Sequence, residues 1–161
     1  MKSSTSEIKI NFYSASDLQS IPEKTIYVLK DYDFEKQKHH SKDKGLTESE
    51  IVELGTKVAN KQMKVAIYNK GHPRYHITVW IGDIVVEGND FISGNEFLKD
   101  HPVTGRKCKS LYKVEGGKIS GLNIYDNGEA VSFEAILKKE ELLISVTSKS
   151  GCSELKLVRQ E

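Results

Sequence analysis

The side chains best able to ligate a metal or move a proton in this chain are five histidines and two cysteines. His72 and His76 lie four apart in His72-Pro73-Arg74-Tyr75-His76. On a helix that spacing would put both imidazoles on one face, as in a zinc-binding His-Glu-x-x-His helix. Pro73 and the alternating apolar residues after it argue for an extended chain instead. There the two rings share a face but stand about 13 Å apart, at roughly 3.3 Å per residue. Zinc holds its nitrogen ligands at about 2.0–2.1 Å, so this pair cannot share one ion. His39-His40 sits among lysines with no cysteine nearby. No metal and no cofactor is expected. Cys108 and Cys152 are too few for a disulfide-stapled secreted domain and read as free thiols of a reducing compartment.

Enzyme signatures are missing from the sequence. There is no phosphate-cradling glycine loop and no G-x-S-x-G elbow. His76-Ile77-Thr78-Val79-Trp80-Ile81-Gly82-Asp83 resembles the histidine strand of papain-like cell-wall hydrolases. That resemblance implies a nucleophilic cysteine opening the preceding helix, and residues 47–60 contain none. The carboxylates Glu48, Glu50 and Glu53, and Asp31, Asp33 and Glu35, carry no pattern marking an acid–base pair. An enzyme here would have to assemble its site from residues distant in sequence.

Composition narrows the classes further. The chain has 161 residues, 37% apolar and 29% charged, with 24 Lys+Arg against 23 Asp+Glu. Such a balance suits a folded domain and argues against binding driven by phosphate neutralisation. The one basic cluster with aromatic neighbours is Arg106, Lys107, Lys109 and Lys113 around Tyr112, which supports a nucleic-acid-binding barrel as an alternative. No apolar run is long enough for a membrane helix, and the first residues have no apolar signal core. The expected address is cytoplasmic, away from membranes.

The elements that must position any site follow from periodicity. Residues Ile8 to Phe12 and Thr25 to Leu29 alternate as strands. Residues 31–45 lack apolar periodicity and read as a long, charged surface loop. One main helix is expected at about 47–60. Thr47 and Glu50 form a capping box, and Ile51, Leu54 and Val58 form one face. Gly55 interrupts this helix and invites a close backbone approach. Val65 to Ile67 and a hairpin over 75–87 with its turn at Gly82-Asp83 come next. In that hairpin Tyr75, Ile77, Val79 and Ile81 should face the core, with Trp80, Val85 and Glu87 on the other face. Residues 89–102 read as irregular, with a short helical turn near Phe97-Leu98.

From Lys107 onward the pattern is a β-meander with turns at 116–117, 127–128, 139–140 and 150–151. Two-residue loops at 127–128, 139–140 and 150–151 align Leu122, Ile124, Val131, Phe133, Ala135, Leu137, Leu142, Ile144, Val146, Leu155 and Leu157 on one face. Ile136, Leu143 and Val158 fall side by side on the opposite face and need a cover. The expected fold is thus β-rich α+β: a mostly antiparallel curled sheet or partly closed barrel, about ten strands, with one main helix and a C-terminal meander. A single domain over 1–161 is expected. A subdivision near 101–105 would leave hairpins and the helix in 1–100 and the meander in 106–161.

The functional expectation is a small binding protein that inhibits or neutralises another macromolecule, a binder rather than a catalyst. Immunity proteins of bacterial toxins and phage-encoded inhibitors of host enzymes share this size and scarcity of motifs. The expected protein-binding residues fall in two groups. One is the charged segment with Asp31, Asp33, Phe34, Glu35, Lys36 and Lys38. The other is the face with His76, Trp80, Ile136, Leu143 and Val158.

Overall fold

The computed structural model describes residues 21–101 and 105–160. The expected strand Ile8 to Phe12 lies outside them. In chain order the elements are β1 (Lys24–Leu29), α1 (Phe34–Asp43), α2 (Glu48–Val58), β2 (Met63–Asn69), β3 (Arg74–Ile81), β4 (Ile84–Ile92), β5 (Glu96–Asp100), β6 (Lys107–Glu115), β7 (Lys118–Tyr125), β8 (Ala130–Leu137), β9 (Glu141–Ser148) and β10 (Gly151–Arg159). The ten strands form one sheet in the order β4-β3-β2-β1-β10-β9-β8-β7-β6-β5. Every pairing is antiparallel. Strand β1 bonds to both β2 and β10, so it joins the segments on either side of residues 101–105 into one sheet. The two edge strands, β4 and β5, are sequence neighbours. The sheet curls into a nearly closed barrel, with a seam between them and two helices, as the β-rich α+β expectation holds.

The registers explain which expected faces survive. The turns at 82–83, 116–117 and 139–140 are two-residue loops as read, pairing Ile81 with Ile84, Glu115 with Lys118 and Leu137 with Leu142. The last turn is one residue earlier than expected, at 149–150, with Ser148 paired to Gly151. Moving a two-residue loop by one position shifts partners by two, which leaves each side chain on its own face. Leu155 and Leu157 therefore still point inward, opposite Ile144 and Leu142. The apolar row changes, however. Leu143 pairs with Ile136 on one side and with Lys156 on the other. Val158 stands instead beside Val28 of β1.

The Asn127-Gly128 turn is a three-residue loop, 126–128, closed by bonds between Tyr125 and Glu129 and from Gly128 N–H to the Tyr125 carbonyl. Gly128 takes φ +84°, the left-handed position of such a loop. One extra residue reverses the facing of β7. Asn123 and Gly121, not Ile124 and Leu122, oppose Val131 and Phe133. Leu122 and Ile124 are 39% and 41% exposed on the outside. Gly121 faces inward beneath the Phe133 ring, which occupies the space a β-carbon would need.

Two further expectations change. The described part of that segment, residues 89–101, contains no helical turn; β4 extends through Ile92 and β5 runs from Glu96 to Asp100. The segment expected as a loop is largely α1. Asp33 caps it by accepting the Lys36 N–H at 3.3 Å, and Glu35 pairs with Lys38 one turn on. Its inward face is Phe34, Gln37, His40 and Asp43, three residues apart but mostly polar. An apolar-periodicity test cannot register such a face.

Helix α2 has both halves of the expected capping box. Gly55 accommodates the ring of Phe34, whose Cε2 lies 2.7 Å from where a β-carbon would sit. The close approach is thus by an aromatic side chain of α1 rather than by backbone. Gly55→Ala should lower stability by about 1–3 kcal/mol, because the overlap outweighs the helix-propensity gain of about 1 kcal/mol. Chemical denaturation checks this. A stabilised Gly55→Ala protein would contradict the packing of α1 on α2.

Candidate functional site

The inward faces do not fill the barrel. They enclose a cavity of about 190 Å3, lined by both helices and by eight of the ten strands. Packed cores rarely leave voids larger than a water molecule. Most of the wall is aliphatic: Val65 and Ile67 of β2, Ile77 and Val79 of β3, Val131 and Ala135 of β8, Leu142 and Ile144 of β9.

One part of the wall is polar, and a β-bulge creates it. Trp80 pairs with Val85, but Val79 pairs with Glu87, so one extra residue sits on β4 at this point. The extra residue flips the alternation. Glu87, expected on the outer face, lines the cavity. Its Oε2 accepts a hydrogen bond from the Lys99 ammonium at 2.7 Å and another from Asn89 at 3.0 Å. Lys99 also donates to the Tyr112 hydroxyl at 2.9 Å. Tyr112 and Ser110 both donate to Asn123 Oδ1, at 3.2 and 2.6 Å. This chain crosses the seam, since Glu87 is on β4 and Lys99 on β5. The Tyr112 ring packs edge-on against Phe91, Phe97 and Phe133, each with centroids 5.1 Å away.

The charges in this region act on one another, and burial lowers the Lys44 pKa below the ordinary lysine value. Burial disfavours the Glu87 carboxylate, yet the Lys99 and Lys44 charges hold its pKa below the ordinary value. Burial likewise opposes the Lys99 ammonium, but Glu87 keeps its pKa above the ordinary value. The Tyr112 hydroxyl is pushed up to about 12, chiefly by burial. His101 is driven down to about 4 by burial and then by Lys44, so its imidazole is neutral at pH 7.

Helix α1 covers this barrel through polar contacts. His40 bonds through Nδ1 to Ser148 Oγ and through Nε2 to Ser153 Oγ, both at 2.7 Å. Ser153 Oγ donates to Gln37 Oε1. Asp43 accepts from the Ser150 N–H at 3.0 Å and its hydroxyl at 2.8 Å. The helix is thereby fixed to the β9–β10 turn. Arg106 binds Glu50 of α2 at 2.9 Å.

Of the residues expected to form a site, Phe34 alone lines the cavity. Trp80 is half-buried on the outer face with the Lys64 ammonium 5.6 Å over its ring. His76 is also outside, bonded to Asp90 at 2.8 Å. Asp31, Glu35 and Lys36 are exposed, Asp33 serves as the α1 cap, and Lys38 pairs with Glu35. Ile136, Leu143 and Val158 remain on the outer face. Lys107, Lys109 and Lys113 are exposed there too, and Lys107 pairs with Asp100. The residues that build the cavity pole were not anticipated: Glu87 depended on an unseen bulge, Asn123 and Tyr125 on an unseen third turn residue. The one readable trace of α1 was the three-residue spacing of Phe34, Gln37 and His40.

The sequence matches no protein-family model and no curated protein. Solved structures do match the fold. The fatty-acid-binding protein of Manduca sexta superposes with a TM-score of 0.62 at 19% identity, covering 89% of this chain and 99% of that one. Apo lipid binding protein 8 of Caenorhabditis elegans gives 0.67 at 17% identity, covering 89% and 99%. The Schistosoma mansoni fatty acid binding protein in complex with arachidonic acid gives 0.66 at 14%, covering 92% and 100%. At these identities the likeness establishes the fold. It overturns the expectation of an inhibitor, immunity or phage protein acting on a protein partner, and equally the nucleic-acid alternative. These three neighbours are fatty-acid- or lipid-binding proteins, and the conspicuous feature here is an internal cavity. Among the described residues no helix is long and apolar enough to cross a membrane.

The α1 anchor has a pH signature. Burial, with the nearby His39 and Lys44 charges, lowers the His40 pKa from 6.5 to about 4. The unfolded chain therefore takes up the proton first as pH falls. Stability from the neutral ring is complete above the unfolded value and is lost on descent toward the folded one. Between pH 7 and 5 His40 should account for about 2 kcal/mol of lost stability. His101 acts in the same direction. His40→Gln should flatten this dependence in urea denaturation series; an unchanged pH profile would contradict the buried, neutral His40.

Proposed function

We propose that this protein binds one elongated, largely apolar small molecule of lipid type inside the barrel, as a carrier rather than a catalyst. The observation that carries the reading is the internal cavity, aliphatic over most of its wall with a polar cluster at one place. Pockets of this make-up, apolar with a few converging polar groups, are the usual form of a small-molecule site. The fatty-acid- and lipid-binding proteins with the same barrel support it. A soluble, cytosolic setting fits the exposed, unpaired thiol of Cys152.

Titration with a fluorescent long-chain probe, followed by displacement with unlabelled hexadecanoate and hexadecanol, tests the reading. Saturable one-to-one binding is expected. Ala135, buried on β8 and part of the cavity wall, is the position for a filling variant. Ala135→Trp should weaken probe binding by about tenfold or more, the equivalent of about 1.4 kcal/mol. Retained barrel circular dichroism would exclude unfolding as the cause. Absence of saturable binding by the wild-type chain, or full affinity in a folded Ala135→Trp protein, would overturn an internal site.

A further inference from the structure

Two lysines reach the polar part of the cavity, and only one of them is held by an acid. Glu87 accepts from Lys99 at 2.7 Å and from Asn89 at 3.0 Å, and Lys99 also donates to Tyr112. Glu87 and Lys99 thus form a closed pair, with the Lys99 side chain only 6% exposed. Lys44 stands half-buried in the turn between α1 and α2 and lines the cavity. The charged and titratable groups that act on its amine are Glu87 of β4, Lys99 of β5 and Cys108 of β6. Among the described residues its side chain makes no hydrogen bond and no ion pair. A buried ammonium without a counter-ion is unfavourable, and the group sheds its proton more readily. Burial holds the Lys44 pKa below the ordinary value; Glu87 and Cys108 oppose this and Lys99 adds to it. More of this side chain than of an exposed lysine is therefore neutral amine at a given pH. A neutral lysine amine in an apolar pocket is a nucleophile toward carbonyl carbon.

A second polar group sits in the same cluster. Tyr125 lines the cavity from β7 and is 3% exposed. Its hydroxyl finds no hydrogen-bond partner beyond the weak thiol of Cys108. Glu87 and Cys108 act on Tyr125 as they act on Lys44, which places the two side chains together. A buried hydroxyl with so little to bond calls for an acceptor from elsewhere. An amine that attacks carbon beside a hydroxyl that donates to oxygen is the complement of a carbonyl group. The aliphatic wall next to them is the complement of a hydrocarbon chain.

Resting on the carrier reading, we infer that the barrel carries a long-chain aldehyde as a reversible imine on Lys44 Nζ, with the Tyr125 hydroxyl donating to the carbonyl oxygen as it is attacked. The nitrogen lone pair forms the new C–N bond, the carbonyl π pair moves to oxygen, and that oxygen takes one proton from the amine. The nitrogen then expels the resulting hydroxyl as water, which carries off the second amine proton. One aldehyde and one amine give one imine and one water, with no oxidant or reductant. Water entering the cavity reverses the reaction and frees the aldehyde. Lys99 has no part in this, because Glu87 and Tyr112 hold it in its protonated form.

Reductive trapping tests the inference. The whole chain is mixed with one equivalent of hexadecanal and cyanoborohydride, then digested, and the hexadecyl-lysines are located by mass spectrometry. The exposed lysines serve as internal controls. Lys44 should carry at least about ten times the label of any exposed lysine, because the cavity holds the carbonyl beside its amine. Excess hexadecanol should suppress that label by filling the same cavity. In Lys44→Met and Lys44→Arg the total label should fall to the level of the exposed lysines, while hexadecanol still displaces a fluorescent long-chain probe and so reports an intact cavity. Tyr125→Phe should slow labelling of Lys44 about fivefold, the scale of one neutral hydrogen bond. Label spread evenly over the lysines, or label on Lys44 that hexadecanol leaves unchanged, would overturn the inference. An unchanged labelling rate in Tyr125→Phe would overturn the role given to its hydroxyl. If aldehyde and alcohol both displace the probe and Lys44 stays unlabelled, the imine is overturned and the carrier reading stands. If neither displaces it, the carrier reading fails and the imine with it.

Discussion

A curled sheet of ten strands encloses more volume than its inward side chains can fill. Barrel diameter grows with strand number, and about eight strands already suffice to hold one small ligand. Here the inward residues are mostly of medium size, Val, Ile and Leu, with alanine at 135 and glycine at 121. The aromatic rings that could have filled the centre are gathered around Tyr112 at one side. The surplus space, rather than any motif, is what the proposed carrier function rests on. The strands stay apart because their backbone bonds hold them in order around the ring.

The same geometry creates the one weak line in the wall. Strands β4 and β5 are the two edges, and unpaired edges invite wrong pairing. One side-chain pair links them across the seam, Glu87 to Lys99, while the residues that connect them are tied to β6: the Val114 N–H donates to Ser93 Oγ and the Gly94 N–H to the Tyr112 carbonyl. A buried ion pair seldom adds net stability, since desolvation offsets most of the attraction. Its value here is positional. It holds two edges together and turns a carboxylate into a neutralised part of the cavity wall. The helices complete the enclosure, and α1 is held by serine hydroxyls and an N–H of β9, β10 and their turn rather than by a greasy face.

Much of this fold was legible in the sequence. Turns at 82–83, 116–117 and 139–140, the capping box at Thr47 and Glu50, and the inward set from Leu137 to Leu157 all followed from alternation and turn chemistry. What escaped did so for identifiable reasons. Asn127-Gly128 announces a turn but not whether two or three residues make it, and that single residue decides whether Leu122 or Asn123 faces inward. Nothing in Ile84-Val85-Val86-Glu87 announces a bulge, so Glu87 was assigned to the wrong face. Helix α1 hides because its buried face is polar. The cavity itself has no signature, since it is made by residues from eight strands, most of them apolar, whose only shared property is facing in.

The central claim is that the barrel interior is the binding site. Isotope-filtered NMR on the protein with carbon-13-labelled hexadecanoate measures which side chains the chain touches. The account predicts contacts from the labelled chain to the methyl groups of Val131, Ala135 and Leu142, all inside the barrel. Contacts confined to outward residues such as Val52, Val85 and Leu98, which are exposed on α2, β4 and β5, would contradict it.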